Sequence, residues 1–309
     1  MAPHVHVLMA TWNGAAHLRE QLASFEAQTH GDWSLWVSDD GSTDGTGPIL
    51  ADYAAARPGR VHLFEGPRRG SAANFLSLMA RAELPEGIVA LADQDDVWLP
   101  HRLERGLSWL GQGDGRPTVY ASRTIRVTED LEPLGPSIDH RREPVFANAL
   151  VQNILAGNTL ILDGAALRLL RRTVPAALGA GVRHHDWWVY LVASGAGARI
   201  AIDPEPGVLY RQHEGNHMGA HRDARGALAR LQALRGGVWN DWADRNGRAL
   251  EAAGEVLTPE ARALLGRFQA IRSGTRGVAR ARALRAAGIH RQSRRGDAIL
   301  AAMAALGWM

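Results

Sequence analysis

The 309-residue chain contains no cysteine and no lysine. Without cysteine there is no disulfide, no thiolate zinc site and no cysteine nucleophile. That composition fits a reducing compartment. Nor does any window approach the ~18 consecutive apolar residues of a membrane-spanning helix. The opening residues, Met-Ala-Pro-His-Val-His-Val-Leu-Met-Ala, lack the basic flank and long apolar core of a secretory signal. These absences predict a cytoplasmic protein that does not span a membrane. What is present is ordinary for a globular protein, with 46% hydrophobic and 22% charged residues. The length suits one large domain with an appendage, or two modest ones.

Charge is unevenly spread behind the net value of +3. Residues 219–309 hold 16 of the 35 arginines but only 7 of the 32 acidic residues. An acidic body (1–218) followed by a basic, helical tail (219–309) suggests two jobs. Lysine-free, alanine-rich composition is also what genome base bias produces, so arginine content alone does not indicate nucleic-acid binding.

Hydrophobic periodicity predicts a strand over His4–Ala10 and a helix over about Ala15–Gln28, with Leu18, Leu22 and Phe25 on one face. A strand over Trp33–Ser38, a helix over Thr46–Ala56, a strand over Val61–Glu65, a helix over Ala72–Ala82 and a strand over Gly87–Ala92 follow. Strands alternating with helices imply βαβ units and a mostly parallel, Rossmann-like sheet flanked by helices. Gly111–Pro117 marks a possible internal boundary. Beyond it the pattern predicts short strands near Thr118–Ala121, Thr159–Leu162 and Arg199–Ile202, and helices near Gly164–Arg172 and Asp186–Ala193. Glu132–Pro144, rich in proline and charge, reads as a mobile loop. After Met218 the sequence is helical in character, interrupted by glycines at 236–237, 254 and 274.

Two strand ends carry the chemistry. Leu-Trp-Val-Ser-Asp-Asp-Gly-Ser-Thr-Asp-Gly-Thr (35–46) delivers Asp39 and Asp40 to the carboxyl end of a buried strand, where open α/β sheets bind ligands. Adjacent carboxylates repel unless positive charge or hydrogen-bond donors surround them, as a sugar nucleotide or metal would. The plainer alternative is an acidic turn that caps the next helix. About 55 residues on, Leu-Ala-Asp-Gln-Asp-Asp-Val-Trp-Leu-Pro (91–100) repeats the pattern. Alternation along an extended segment puts Asp93 and Asp95 on one side. One could reach a ribose hydroxyl while the other binds a divalent ion bridging two phosphates. For Asp96, capping of the next helix is the competing role.

Taken in order, Ala10-Thr-Trp-Asn-Gly, Ser38-Asp-Asp-Gly-Ser-Thr-Asp-Gly-Thr, Asp93-Gln-Asp-Asp-Val-Trp, Gln152-Asn153 with Gly157-Asn-Thr, His185-Asp-Trp-Trp and Tyr210-Arg-Gln-His resemble the inverting glycosyltransferases of family 2, with the GT-A fold. The resemblance spans about residues 4–218 and is strongest to the bacterial rhamnosyltransferase-like branch, which builds cell-surface polysaccharides. It implies that Thr11, Trp12 and Asp39 (or Asp40) hold base and ribose of a nucleotide-diphosphate sugar, with Asn74 and Gln94 among the donor contacts. It further implies Asp93 on the ribose, Asp95 on a Mg2+ or Mn2+ ion, Asp186 as general base, and His213 as a further metal or phosphate contact. Two positions depart from the pattern. Trp12 stands where tyrosine is common, keeping a stacking face without the hydroxyl. Ala73 stands where many relatives carry arginine.

Chemistry supports the base assignment separately. Inverting transfer is one in-line displacement, needing a carboxylate to take the acceptor proton and a cation to stabilise the departing diphosphate. Trp187 and Trp188 beside Asp186 could shield it and stack on a sugar; helix capping is its alternative role. His184, His185 and His217, irregularly spaced and without cysteine, do not make a structural zinc site. Asn153 and Asn158 either line the acceptor side or satisfy loop backbone.

In the tail, Ile299, Leu300, Met303, Leu306 and Trp308 follow Arg291, Arg294 and Arg295. This pattern suits either a basic amphipathic helix on an anionic membrane, with the enzyme peripheral at the inner face of the plasma membrane, or helices packed on the body or a second subunit. The expected partners are a nucleotide-diphosphate sugar and a glycan or lipid-linked glycan acceptor, not nucleic acid. A sugar-nucleotide nucleotidyltransferase is the competing enzyme class, but it would want a basic Gly-rich loop where Thr11-Trp-Asn-Gly stands. A non-catalytic carbohydrate- or membrane-binding module would be favoured by broken acidic clusters, and these are intact.

Overall fold

The computed structural model describes residues 3–212 and 236–309. β1 (Val5–Thr11), α1 (Leu18–Glu26), β2 (Trp33–Asp39), α2 (Thr46–Ala55), β3 (Val61–Glu65), α3 (Ser71–Met79) and β4 (Ile88–Ala92) alternate through the first part of the chain. β1 pairs with β2 and β4, and β2 with β3, all parallel. Every residue of β1 is buried, as a central parallel strand covered on both faces requires. Val5, Val7 and Met9 face one core with Leu18, Leu22 and Phe25 of α1. Leu8 and Ala10 alternate to the other, against Phe75 and Leu76 of α3.

β5 (Val97–Trp98), α4 (Arg102–Gly111), β6 (Thr118–Val127), β7 (Pro133–Pro136), α5 (Phe146–Ala149), β8 (Ile161–Leu162), α6 (Gly164–Ala180), α7 (His185–Gly195) and β9 (Arg199–Arg211) complete the body. Among the described residues nine strands form one sheet, ordered β3-β2-β1-β4-β8-β6-β9-β5, with β7 on the edge of β6. The expected boundary at Gly111–Pro117 is the end of α4 and a short loop (112–117) within one sheet, because β8 bridges β4 and β6 antiparallel. Glu132–Pro144 differs from expectation: its first residues pair with β6 as β7. β9 runs to Arg211 through two prolines, much longer than its apolar start suggested. Asp96 caps no helix; α4 starts six residues later, after His101.

The C-terminal residues form α8 (Val238–Ala252), α9 (Pro259–Gly274), α10 (Gly277–Ala286) and α11 (Arg294–Leu306). Thr258 and Ser293 cap α9 and α11 by accepting from Ala261 N and Gly296 N. Trp239, Leu250, Leu265, Phe268, Leu284 and Met303 join the same core as Leu8 and Leu91. Gln292 N donates to Gln152 Oε1 (2.9 Å), and Arg142 pairs with Asp297 (2.8 Å). The basic helices are therefore a layer packed on the body. Leu300 and Met303, expected on one apolar stretch with Ile299 and Leu306, are buried in it, while Ile299 and Leu306 stay exposed. No helix among the described residues is long and apolar enough to cross a membrane.

Candidate active site

Parallel strands end together, and their register gathers the acidic motifs. Thr11 stands opposite Asp39, and Met9 opposite Ala92, so Asp39 and Asp93 leave the same edge of the sheet. The adjacent pair after β2 is separated by its donors. Asp39 accepts from Thr11 Oγ1 (2.8 Å), Ser42 N (2.8 Å) and Ser42 Oγ (2.6 Å), and remains partly open. Asp40 is buried and accepts from Arg68 N (2.5 Å) and Gly70 N (2.7 Å). Its carboxylate thus shapes the loop into α3. Asn74 lies beneath the strand end, with Nδ2 donating to Ser38 O (2.8 Å) and Oδ1 accepting from Ser38 Oγ (2.5 Å). It braces the edge rather than lining the opening.

Trp12 is 62% exposed, an unusual cost for an indole unless a ligand covers it. Its backbone is held by Gln94, whose Oε1 accepts from Trp12 N (2.8 Å) and whose Nε2 donates to Trp12 O (3.0 Å). Gly14 is glycine for the same reason: a Cβ there would overlap the Gln94 amide. One glutamine thereby locks the β1 loop to the turn after β4.

That turn concentrates negative charge. Burial, then the nearby Asp96, Asp95 and Asp186, hold the Asp93 carboxyl well above its ordinary range. Burial and Asp95 push Asp96 up to about 7, although Asn158 Nδ2 (2.5 Å) and Arg211 N (3.2 Å) donate to it. Two buried arginines brace this region through backbone carbonyls, Arg102 on the strand before the turn and Arg211 on the turn itself. Arg102 Nη2 donates to Leu91 O (3.0 Å) and Asn158 O (2.7 Å), with the guanidinium over Trp98. Arg211 Nε donates to Asp95 O (2.9 Å), while its other nitrogens reach Glu129 O and Glu20. Tyr210 follows Leu209, which pairs with Val97, and its phenol is raised by burial and then by Asp93, Asp96 and Asp95.

Asp186, in the first turn of α7, comes to the same place: it packs against Gly157, and the next residue, Asn158, donates to Asp96. Burial lifts its carboxyl to about 6, against hydrogen bonds from Trp187 N (2.7 Å), Asn153 and Gly157. Asn153 also closes its own loop through Leu155 N and O, the backbone-satisfying role expected of this amide. His185 is buried and stacked on Phe75, with centroids 4.1 Å apart, and its pKa falls to about 3 by burial. It lies so close to Gly157 that a Cβ there would come within 2.6 Å of Nε2. His184 packs against Trp187 and Trp242. His213 and His217 lie outside the described residues. Sequence reasoning missed Arg102 and Arg211 because nothing local marks an arginine destined for burial.

The donor set fits a hard cation. Asp93 and Asp95 offer carboxylate oxygens, the cluster has excess negative charge, and substrate phosphates could complete a coordination shell. Among the described residues no three side chains form a ready-made metal cage.

Residues 6–173 match the family model for glycosyl transferase family 2. The chain belongs to glycosyltransferase family 2. This family 2 enzyme transfers a sugar from a nucleotide-sugar donor. It is 27% identical to the dTDP-rhamnosyl transferase RfbG of Shigella flexneri over 241 residues, covering 76% of this chain and 80% of that one. It is 26% identical to the putative teichuronic acid biosynthesis glycosyltransferase TuaG of Bacillus subtilis, over 52% of this chain and 62% of that one. Its fold matches the mannosyltransferase PcManGT from Pyrobaculum calidifontis, solved with GDP-Man and Mn2+: TM-score 0.54, 19% identity, covering 100% of this chain and 81% of that one. It also matches S. aureus TarS 1-349 in complex with UDP: TM-score 0.53, 15% identity, covering 86% and 87%. These likenesses bear out the α/β, GT-A-type expectation.

Proposed function

We propose that this family 2 enzyme is an inverting transferase that moves a hexose, rhamnose in the first instance, from a nucleotide-diphosphate donor to a glycan or lipid-linked glycan hydroxyl. The observation that supports this reading is that the β2 and β4 strand ends bring Asp39 and the Asp93–Asp96 turn to one edge with Trp12, while Gly157 and Asn158 link Asp186 to Asp96 there. Trp12 stacks on the base, and Asp39 and Asp93 take ribose hydroxyls. Asp95 would hold a divalent cation, with His213 a further candidate ligand; when bound, that cation would supply positive charge to the leaving diphosphate.

Asp186 removes the acceptor proton. A carboxylate shifted to about 6 is a better base than an ordinary one and is still ionised at neutral pH. The donated hydrogen bonds from Trp187 N and Asn153 hold its orientation. The attacking oxygen forms its bond to the anomeric carbon as the carbon–phosphate oxygen bond breaks, and the configuration inverts. Rhamnose rests on the likeness to RfbG, and a cell-surface acceptor on that likeness and the one to TuaG.

The test is release of nucleoside diphosphate from dTDP-rhamnose, UDP-GlcNAc, UDP-glucose and GDP-mannose, with and without Mn2+, followed by NMR of the product's anomeric centre. Metal-dependent release with inverted configuration is expected. Retained configuration, or equal turnover in the presence of a chelator, would overturn the mechanism.

A further inference from the structure

From Ala261 to Met309 the chain carries ten arginines and a single acid, Asp297. The structure divides these arginines by role. Arg280 is buried, with Nε donating to Thr275 O (2.8 Å) and Nη2 to Arg272 O (2.9 Å). Arg272 pairs with Asp244 (2.8 Å), and Asp297 is neutralised by Arg142. These serve the fold. Arg276, Arg282, Arg285, Arg294 and Arg295 instead project into solvent, with no ion-pair partner among the described residues.

Among the described residues, three of the nine large hydrophobic side chains left exposed belong to the same two helices: Val278 (60%), Ile299 (50%) and Leu306 (59%). Their spacing is helical. Val278, Arg282 and Arg285 share one face of α10, and Arg295, Ile299, Ala302 and Leu306 share one face of α11. The adjoining sides of the same helices supply Leu284, Leu300 and Met303 to the core. α10 and α11 also pack on each other. Both outer faces thus stay open to solvent, mixing cations unpaired among the described residues with aliphatic side chains.

We propose that the outer face of the α10–α11 pair docks on an anionic lipid surface. Charge complementarity calls for an anion, and a folded polyanion such as RNA would satisfy the arginines alone. Only a bilayer interface also offers hydrocarbon for Val278, Ile299 and Leu306 beside phosphate for the guanidiniums. The inference is independent of the donor, the metal and the catalytic roles proposed above.

The full-length chain is sedimented with vesicles of phosphatidylcholine alone, and with phosphatidylglycerol mixed in, at low and high salt. Co-sedimentation is expected only with the anionic vesicles and is weakened by salt. Replacing Arg282, Arg285, Arg294 and Arg295 by Gln, or separately Ile299 and Leu306 by Ser, should each weaken binding at least about tenfold. All six side chains are exposed, so unchanged circular-dichroism melts are the folding control. Should a variant misfold, the salt and lipid dependence of the unaltered protein decides alone. Binding indifferent to lipid charge, or no binding, overturns the proposal. So does Ile299→Ser/Leu306→Ser binding anionic vesicles as tightly as the parent, which would mark a purely polyanion-binding face.

Discussion

At the residue scale, Asp186 couples activity against stability. Its carboxyl is raised to about 6 by burial, so folding disfavours its ionised form at neutral pH. A raised carboxyl favours the folded state below its unfolded value and loses that contribution as pH climbs through the folded one. Asp186→Asn should therefore abolish transfer, by ~10²–10⁴-fold, while leaving donor affinity intact. The variant should be as stable at pH 8, or about 1–2 kcal/mol more so, in thermal melts; retained transfer would place the base elsewhere. Activity carries the opposite sign, because only the ionised base accepts a proton. With wild type, kcat/KM should fall as pH drops through about 6, and a rise there would exclude this base. Trp12 offers a second residue-level test. Trp12→Ala should weaken nucleotide binding about tenfold or more, the ~1–3 kcal/mol of base stacking, whereas Trp12→Phe should keep most of it by calorimetry.

At the element scale, the turn between β4 and β5 owes its shape to partners from across the sheet. Gln94 ties it to the β1 loop, Arg211 bonds Asp95 O, and Asn158, itself held by Arg102, donates to Asp96. Asp95→Asn should remove metal-stimulated turnover and direct Mn2+ binding by electron paramagnetic resonance; unaltered Mn2+ binding would remove Asp95 from the metal role. Gly14→Ala should displace Gln94 and raise the donor KM several-fold, with kcat less affected, in steady-state kinetics. The acids of this turn were legible because strand ends, alternation and carboxylates are adjacent in the chain. Their supports were not: Arg211 reaches Asp95 across 116 residues, and no local pattern carries that separation. Likewise Asp40 and Asn74 look like ligand-facing residues in their motifs. Only coordinates show their polar atoms bonded to Arg68, Gly70 and Ser38.

At the scale of the whole molecule, the arginine-rich helices belong to the fold. Truncation after Arg276 removes Leu284, Ile289, Leu300, Met303 and Met309 from the main core. At ~1.5–3 kcal/mol for each large buried side chain, the loss rivals the ~5–15 kcal/mol that holds a protein folded. The truncated chain should be insoluble or lose its cooperative melt, and a cleanly melting product would show an independent body. The sequence alone determined the alternation of strands and helices, the strand-end positions of Asp39, Asp93 and Asp95, and the basic character of the tail. Each follows from a period of two or 3.6 residues, or from composition, and both are local. Tertiary structure decided which carboxylates share a charge cluster, which arginines are buried beneath it, and which face of each C-terminal helix meets solvent. Those depend on distances between segments far apart in the chain, where burial and charge interact through space rather than along the backbone.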